Sequence, residues 1–120
     1  MTRTGLRFRR WAAVAGLMLG PVAVAAGPDG ASLYQQKCAL CHGKNGVPPP
    51  GMAKLGARDF TDAAWQKSKK DEEIRATVED GKPGTSMLGF KGKLKPAEIG
   101  AIVRHLRTFT RAGRVSSVSP

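Results

Sequence analysis

Residues 38–42 read Cys-Ala-Leu-Cys-His, and these are the only two cysteines in the 120-residue chain. Two thiols three apart on a helix lie on the same side, with the imidazole of His42 directly beside them. A thioredoxin-like dithiol needs a βαβ setting, and no segment here shows sustained strand alternation. A structural disulfide suits an oxidising compartment, but a three-residue step within one helix is poorly placed for it. A zinc site lacks a second Cys/His pair, the only other histidine being His105. The remaining chemistry uses every group. Both thiols add to the two vinyl groups of one haem, and His42 falls under the iron as proximal ligand. C-x-x-C-H therefore reads as the attachment site of a single haem c, held covalently through Cys38 and Cys41.

The rest of the sequence is consistent with a domain that borrows core volume from such a group. Aromatic residues make up only 6% of the chain, while glycine (15) and proline (8) are frequent. A chain of this length forms one domain at most, and its folding margin is thin without a staple or cofactor. At the N-terminus, Arg3, Arg7, Arg9 and Arg10 precede the first acid, Asp29. A run of apolar or small residues, Trp11–Ala26, follows and is interrupted by Pro21. Ala23-Val24-Ala25 then supplies an A-x-A site. This order predicts a secretory signal peptide over residues 1–25, cleaved by general secretion into the periplasm. The run is short for a membrane span and holds Gly16, Gly20 and Pro21, so no stable insertion is expected after cleavage.

Helix punctuation organises the remainder. Asp29 caps a helix from Gly30 into the attachment motif, ended by Gly43 and Gly46. Residues 47–57 read as loop, because Pro48-Pro49-Pro50 is flanked by glycines. A short helix is expected over 59–67, with Phe60 and Trp65 inward. Ser68 or Asp71 caps the next, with Glu72 and Glu73 in its first turn and Ile74 and Val78 on its buried face. Gly81 to Gly84 stop it, and 85–94 is irregular. Pro96 opens a last helix whose Ile99, Ile102, Val103, Leu106 and Phe109 recur at helical spacing. Residues 111–120 read as a disordered tail. The fold class is all-α, with four or so short helices and long loops, and the domain spans 26–110.

Taken in order, these features resemble the class I cytochromes c. Gly30-x-x-x-Tyr34 is similar to the family's N-terminal helix, where a glycine lets the last helix cross closely. Cys38–His42 is its attachment site. Asp71–Ile74 resembles its third helix, Gly84-Thr85-Ser86-Met87 the loop that brings in a methionine, and Lys95–Ile99 with Leu106-Arg107 its final helix. The resemblance implies the cytochrome c fold wrapped around the haem, with Met87 as sixth ligand. Leu88 stands where the family usually has proline. Met52 and His105 are rival ligands. His105 aligns with a packing position facing Gly30 and Tyr34. The resemblance also implies a proline carbonyl, that of Pro48, Pro49 or, by preference, Pro50, accepting the other ring N–H of His42. Trp65 is placed at the haem edge, with Leu55, Phe60, Ile74, Val78, Ile102 and Leu106 lining the cavity.

With both axial positions filled by protein, the site exchanges one electron and admits no substrate at iron. Methionine ligation also raises the potential above that of a bis-histidine haem. The reading is a monomeric periplasmic electron carrier, not an enzyme. Its 20 Lys and Arg outnumber 9 Asp and Glu. Lys37, Lys44, Lys82, Lys91, Lys93 and Lys95 flank the attachment helix and the Met87 loop, forming a basic rim for acidic-surfaced redox proteins as donor and acceptor. Lys67, Lys69 and Lys70 lie elsewhere. No aromatic-interleaved basic stripe suggests nucleic acid. Two alternatives stand: a small peroxidase or gas sensor with a labile sixth ligand, and a dedicated electron-transfer subunit of a periplasmic oxidoreductase.

Overall fold

A computed structural model of the chain describes residues 12–22 and 26–110. The basic N-terminal arginines, the expected cleavage site Ala23-Val24-Ala25 and the tail 111–120 lie outside the described residues. Among the described residues regular structure is helical: α1 (Gly30–Lys37), α2 (Ala39–His42), α3 (Pro50–Lys54), α4 (Ala63–Ser68), α5 (Asp71–Asp80) and α6 (Pro96–Arg107). The remaining ordered pairing is two isolated bridges, Gly81 with Leu88 and Lys91 with Leu94. The all-α class is as the sequence implies, with more and shorter helices than expected.

Side-chain capping explains the boundaries. The Asp29 carboxylate accepts from the Ser32 N–H at 3.1 Å and starts α1. The attachment motif does not simply continue it. Cys38 departs from helical geometry (φ −122°), although its N–H still donates to the Tyr34 carbonyl at 2.8 Å, and α2 restarts beyond it. The expected helix over 59–67 begins only at Ala63. Asp59 is occupied by the Thr61 N–H and hydroxyl at 2.8 and 2.6 Å, and Asp62 caps instead, accepting from Ala64 and Trp65. Neither Ser68 nor Asp71 caps α5. Ser68 donates its hydroxyl to the Trp65 carbonyl, while Glu73 reaches back to the Lys70 N–H at 2.8 Å. Glu98 does the same for Lys95 at the head of α6. The stretch expected to be pure loop contains α3, because Pro50 sits at the first helical position and the Pro49 carbonyl accepts from the Ala53 N–H at 2.9 Å.

The core forms where α1 crosses α6. At Gly30 the backbones meet so closely that a Cβ would lie 2.1 Å from the Ala101 carbonyl oxygen. Tyr34 is fully buried beside this crossing, its ring 5.0 Å from Phe109 and 5.3 Å from His105. Ile99, Ile102, Val103 and Leu106 bury the inner face of α6, each stabilising the fold by roughly 1.5–3 kcal/mol. At the other end of α6, Arg107 gathers the α4–α5 junction. It donates to the Asp71 carboxylate at 2.9 Å, to the Gln66 side chain at 2.7 Å, and to the carbonyls of Gln66 and Lys69. Gln66 is itself buried and donates to the carbonyls of Phe60 and Leu106.

Candidate haem site

A cavity of about 670 Å³ opens between α2, α3, α5, α6 and the loop after α5. That volume is within the ~300–1,000 Å³ of small-molecule and cofactor sites. Cys38, Cys41 and His42 line it from the attachment segment, and Met87 lines it from the loop. Leu55, Phe60, Ile74, Val78, Ile102 and Leu106, the six apolar residues expected at the haem, all contribute to the wall. Trp65 and Phe90 line it too.

The donor set has the right chemistry. The His42 Nδ1 lies 3.0 Å from the Arg58 carbonyl oxygen. A carbonyl only accepts, so Nδ1 carries the proton and the Nε2 lone pair is left available to a metal. Burial lowers the His42 pKa, the Arg58 carbonyl partly opposing it, so the ring is neutral as metal ligation requires. The Phe60 ring stacks on the imidazole at 4.5 Å and restricts its rotation. Burial, reinforced by Cys41, pushes the Cys38 thiol up to about 11, the opposite of the depressed value of a redox-reactive thiol. Among the described residues no three His, Cys, Asp or Glu side chains cluster to hold a zinc ion. A large apolar cavity with two thiols and one oriented imidazole on its wall fits a covalently held haem.

The carbonyl that holds His42 differs from the expectation. Pro50 opens α3, and the carbonyl that receives the His42 N–H belongs to Arg58. The segment 57–62 returns past His42 because Phe60 donates its N–H to the Gly46 carbonyl at 2.8 Å. Nothing in the side chain of Arg58 signals this backbone role.

Met87 sits on a loop held by its backbone. The Lys82 N–H donates to the Met87 carbonyl at 3.0 Å, and the Met87 N–H donates to the Thr85 hydroxyl. Phe90 and Lys91 donate to the carbonyls of Val78 and Glu79. The bridge between Gly81 and Leu88 ties the loop together next to Met87. Met52 lines the same cavity from α3. His105 does not line it; it packs against Tyr34 and Phe109.

The basic residues sort differently from their sequence grouping. Lys37 and Lys82 stand at the cavity wall, while Lys91, Lys93 and Lys95 surround a separate depression that includes Glu79 and Glu98. Lys69, placed elsewhere by sequence, lines the cavity and pairs with Glu73 at 3.9 Å.

An attachment pentapeptide set into a helical shell around an apolar cavity defines a monohaem c-type cytochrome domain. Residues 25–106 match the family described as cytochrome c oxidase, cbb3-type, subunit III, and the chain belongs to that family of c-type cytochromes. The family's cofactor is covalently bound haem c, and its work is electron transfer with redox partners. The chain is similar to the solved KustC0563 c-type cytochrome, at 44% identity and TM-score 0.64, covering 68% of this chain and 96% of that one. It is 35% identical over 92 residues to a dihydro-heme d1 dehydrogenase of Pseudomonas aeruginosa, and 31% identical over 83 residues to the cbb3-type cytochrome c oxidase subunit FixP of Azorhizobium caulinodans. Those matches cover 76% and 69% of this chain but only 17% and 27% of the two relatives. Proteins of this class are typically exported or membrane-associated. Among the described residues no helix is long and apolar enough to cross a membrane.

Proposed function

We propose that this chain is a periplasmic, monomeric carrier of single electrons, its haem attached through Cys38 and Cys41 with His42 and Met87 as axial ligands. The observation that carries this reading is the single cavity that brings the attachment motif and the Met87 loop together. The bound haem supplies reversible one-electron storage. The chain's part is to exclude water with Ile74, Val78, Ile102 and Leu106, to orient His42 through the Arg58 carbonyl, and to keep both axial positions filled so that little rearranges on electron transfer. Met87 is favoured over Met52 by its packing against the core cluster and by the backbone bonds that fix its loop.

An enzymatic role at iron finds little support. His105, the spare histidine, lies off the cavity, and Glu73 at the cavity wall is paired with Lys69. Lys37 and Lys82 offer positive charge beside the haem site, which suits an acidic partner surface and a transient encounter. Export through residues 1–25 follows from their basic, apolar and small-residue order. A second reading, a tightly held electron-transfer subunit, is favoured by the relatives named as oxidase subunits. Elution of the holoprotein from a periplasmic extract at its own small size supports the carrier; co-elution with a large complex supports the subunit.

The ligand test is Met87→Ala against Met52→Ala. Met87→Ala loses the weak far-red band of methionine-bound ferric haem, binds carbon monoxide when reduced and has a lower potential, while Met52→Ala keeps the band. The reverse pattern assigns the ligand to Met52.

A further inference from the structure

The loop that carries Met87 closes at a neck where its two ends cross as glycine against glycine. Gly81 ends α5 in the left-handed region, at φ +71°. A Cβ there would lie 2.6 Å from both the Gly89 nitrogen and the Met87 carbonyl oxygen. Gly89 meets the chain from the other side. A Cβ on it would lie 2.7 Å from the Asp80 carbonyl carbon and closer still to the Glu79 carbonyl oxygen. All of these neighbours are backbone atoms, so no change of rotamer makes room. The neck is held shut by the Lys82 N–H, which donates to the Met87 carbonyl at 3.0 Å, and the Phe90 N–H, which donates to the Val78 carbonyl at 2.9 Å. One side chain spans the loop above it. The Thr85 hydroxyl donates to the Lys82 carbonyl at 2.7 Å and accepts from the Met87 N–H at 3.2 Å. Around the turn at Gly84 nothing lies within 4 Å of an added Cβ, so the tight packing is confined to the neck beside Met87.

We propose that Gly81, Gly89 and Thr85 are positioning residues for the sixth ligand. The glycine neck sets how closely the Met87 backbone stands to the cavity, and the Thr85 hydroxyl keeps the loop from springing open. A thioether is a weak, uncharged donor, so its hold on a metal depends on being presented within a fraction of an ångström of the right place. This inference rests on Met87 being the axial ligand. It makes the strength of that ligation a property of residues two to six positions away from the methionine.

The holoproteins are matured in a periplasm, and their ferric forms are titrated with imidazole, which replaces an axial methionine and bleaches its far-red band. Gly89 lies outside the left-handed region, so Gly89→Ala tests room alone. It is expected to lower the half-saturating imidazole concentration about tenfold. Thr85→Val is expected to lower it about fivefold, while Thr85→Ser, which keeps the hydroxyl, matches the unmodified protein. Gly30→Ala is the control for general loss of stability: its clash is at the α1–α6 crossing, so its melting temperature falls and its titration does not move. If Gly89→Ala fails to mature, the two Thr85 variants carry the comparison. An unchanged titration in Gly89→Ala, equal titrations in Thr85→Val and Thr85→Ser, or a shift in Gly30→Ala as large as that in Gly89→Ala overturns the proposal. Met87→Ala is measured alongside. A far-red band that survives it shows that Met87 is not the ligand and takes the neck proposal with it; a band lost there but held as firmly in Gly89→Ala as in the unmodified protein defeats the neck alone.

Discussion

Gly30→Ala is the sharpest test of how the fold is closed. The added methyl would lie 2.1 Å from the Ala101 oxygen and 2.5 Å from its carbonyl carbon. Both are backbone atoms of α6, so no side-chain rotation relieves the overlap. Reaching ordinary contact, which begins at 3.4 Å, requires the helices to separate by more than an ångström. Gaps of ~0.5–1 Å already forfeit a quarter to a half of the dispersion energy of the atoms concerned. Overpacking of this kind costs about 1–3 kcal/mol, and a backbone clash belongs at the upper end. Alanine's better helix propensity returns at most ~1 kcal/mol. The net cost is therefore about 2 kcal/mol, or a Tm lower by roughly 8–16 °C for a domain of this size. Thermal unfolding of the ferric holoprotein, followed by circular dichroism, measures it. Gly51→Ala is the control, because nothing lies within 4 Å of the added methyl there, and it should leave Tm unchanged or slightly raised. A Gly30→Ala protein that melts within 2 °C or so of the control would refute the close-crossing argument.

Arg107→Ala removes the donors that tie α6 to the α4–α5 junction and leaves the Gln66 side-chain oxygen and two carbonyls without their partner. A loss of about 2–4 kcal/mol is expected in denaturant unfolding of the holoprotein; a loss under ~0.5 kcal/mol would show that the clamp is no better than a surface ion pair. Tyr34, the only tyrosine, is buried and its phenol donates to the Gly43 carbonyl at 2.8 Å. Burial raises its pKa above the ordinary value of 10.0. A folded pKa above the unfolded one means a stabilising contribution that is complete below about pH 10 and is lost as pH rises past it. Phenolate absorbance should therefore appear together with unfolding, and Tyr34→Phe should flatten the alkaline fall in stability. Phenolate forming near pH 10 in a still-folded protein would contradict the burial argument.

Much of this was legible because the informative residues act locally. Cys38, Cys41 and His42 state their chemistry in five positions, and the apolar spacing of α6 and the acidic opening of α5 are written in single segments. What was not legible depended on choices between competing local bonds or on backbone atoms. Asp59 and Asp62 are both able caps, and only the turn at Thr61 decides that Asp62 starts α4. The run of prolines reads as a breaker, yet the same Pro50 is well suited to begin α3. The acceptor for His42 is a carbonyl, and every residue has one; its assignment to Arg58 depends on the path of the chain from Gly46 to Phe60. The grouping of lysines by sequence proximity failed for the same reason, since Lys69 reaches the cavity and Lys91 to Lys95 do not line it.

The proposed carrier requires a six-coordinate haem held by this chain's pentapeptide and closed by Met87. The most direct measurement is the absorption spectrum of the periplasmically matured protein, oxidised and reduced, with and without carbon monoxide. A haem closed by Met87 gives a c-type spectrum with the far-red band of methionine-bound ferric haem and no response of the reduced protein to carbon monoxide. A c-type spectrum that lacks the band and shifts with carbon monoxide would contradict it, leaving an open iron and a gas-binding or peroxidatic site.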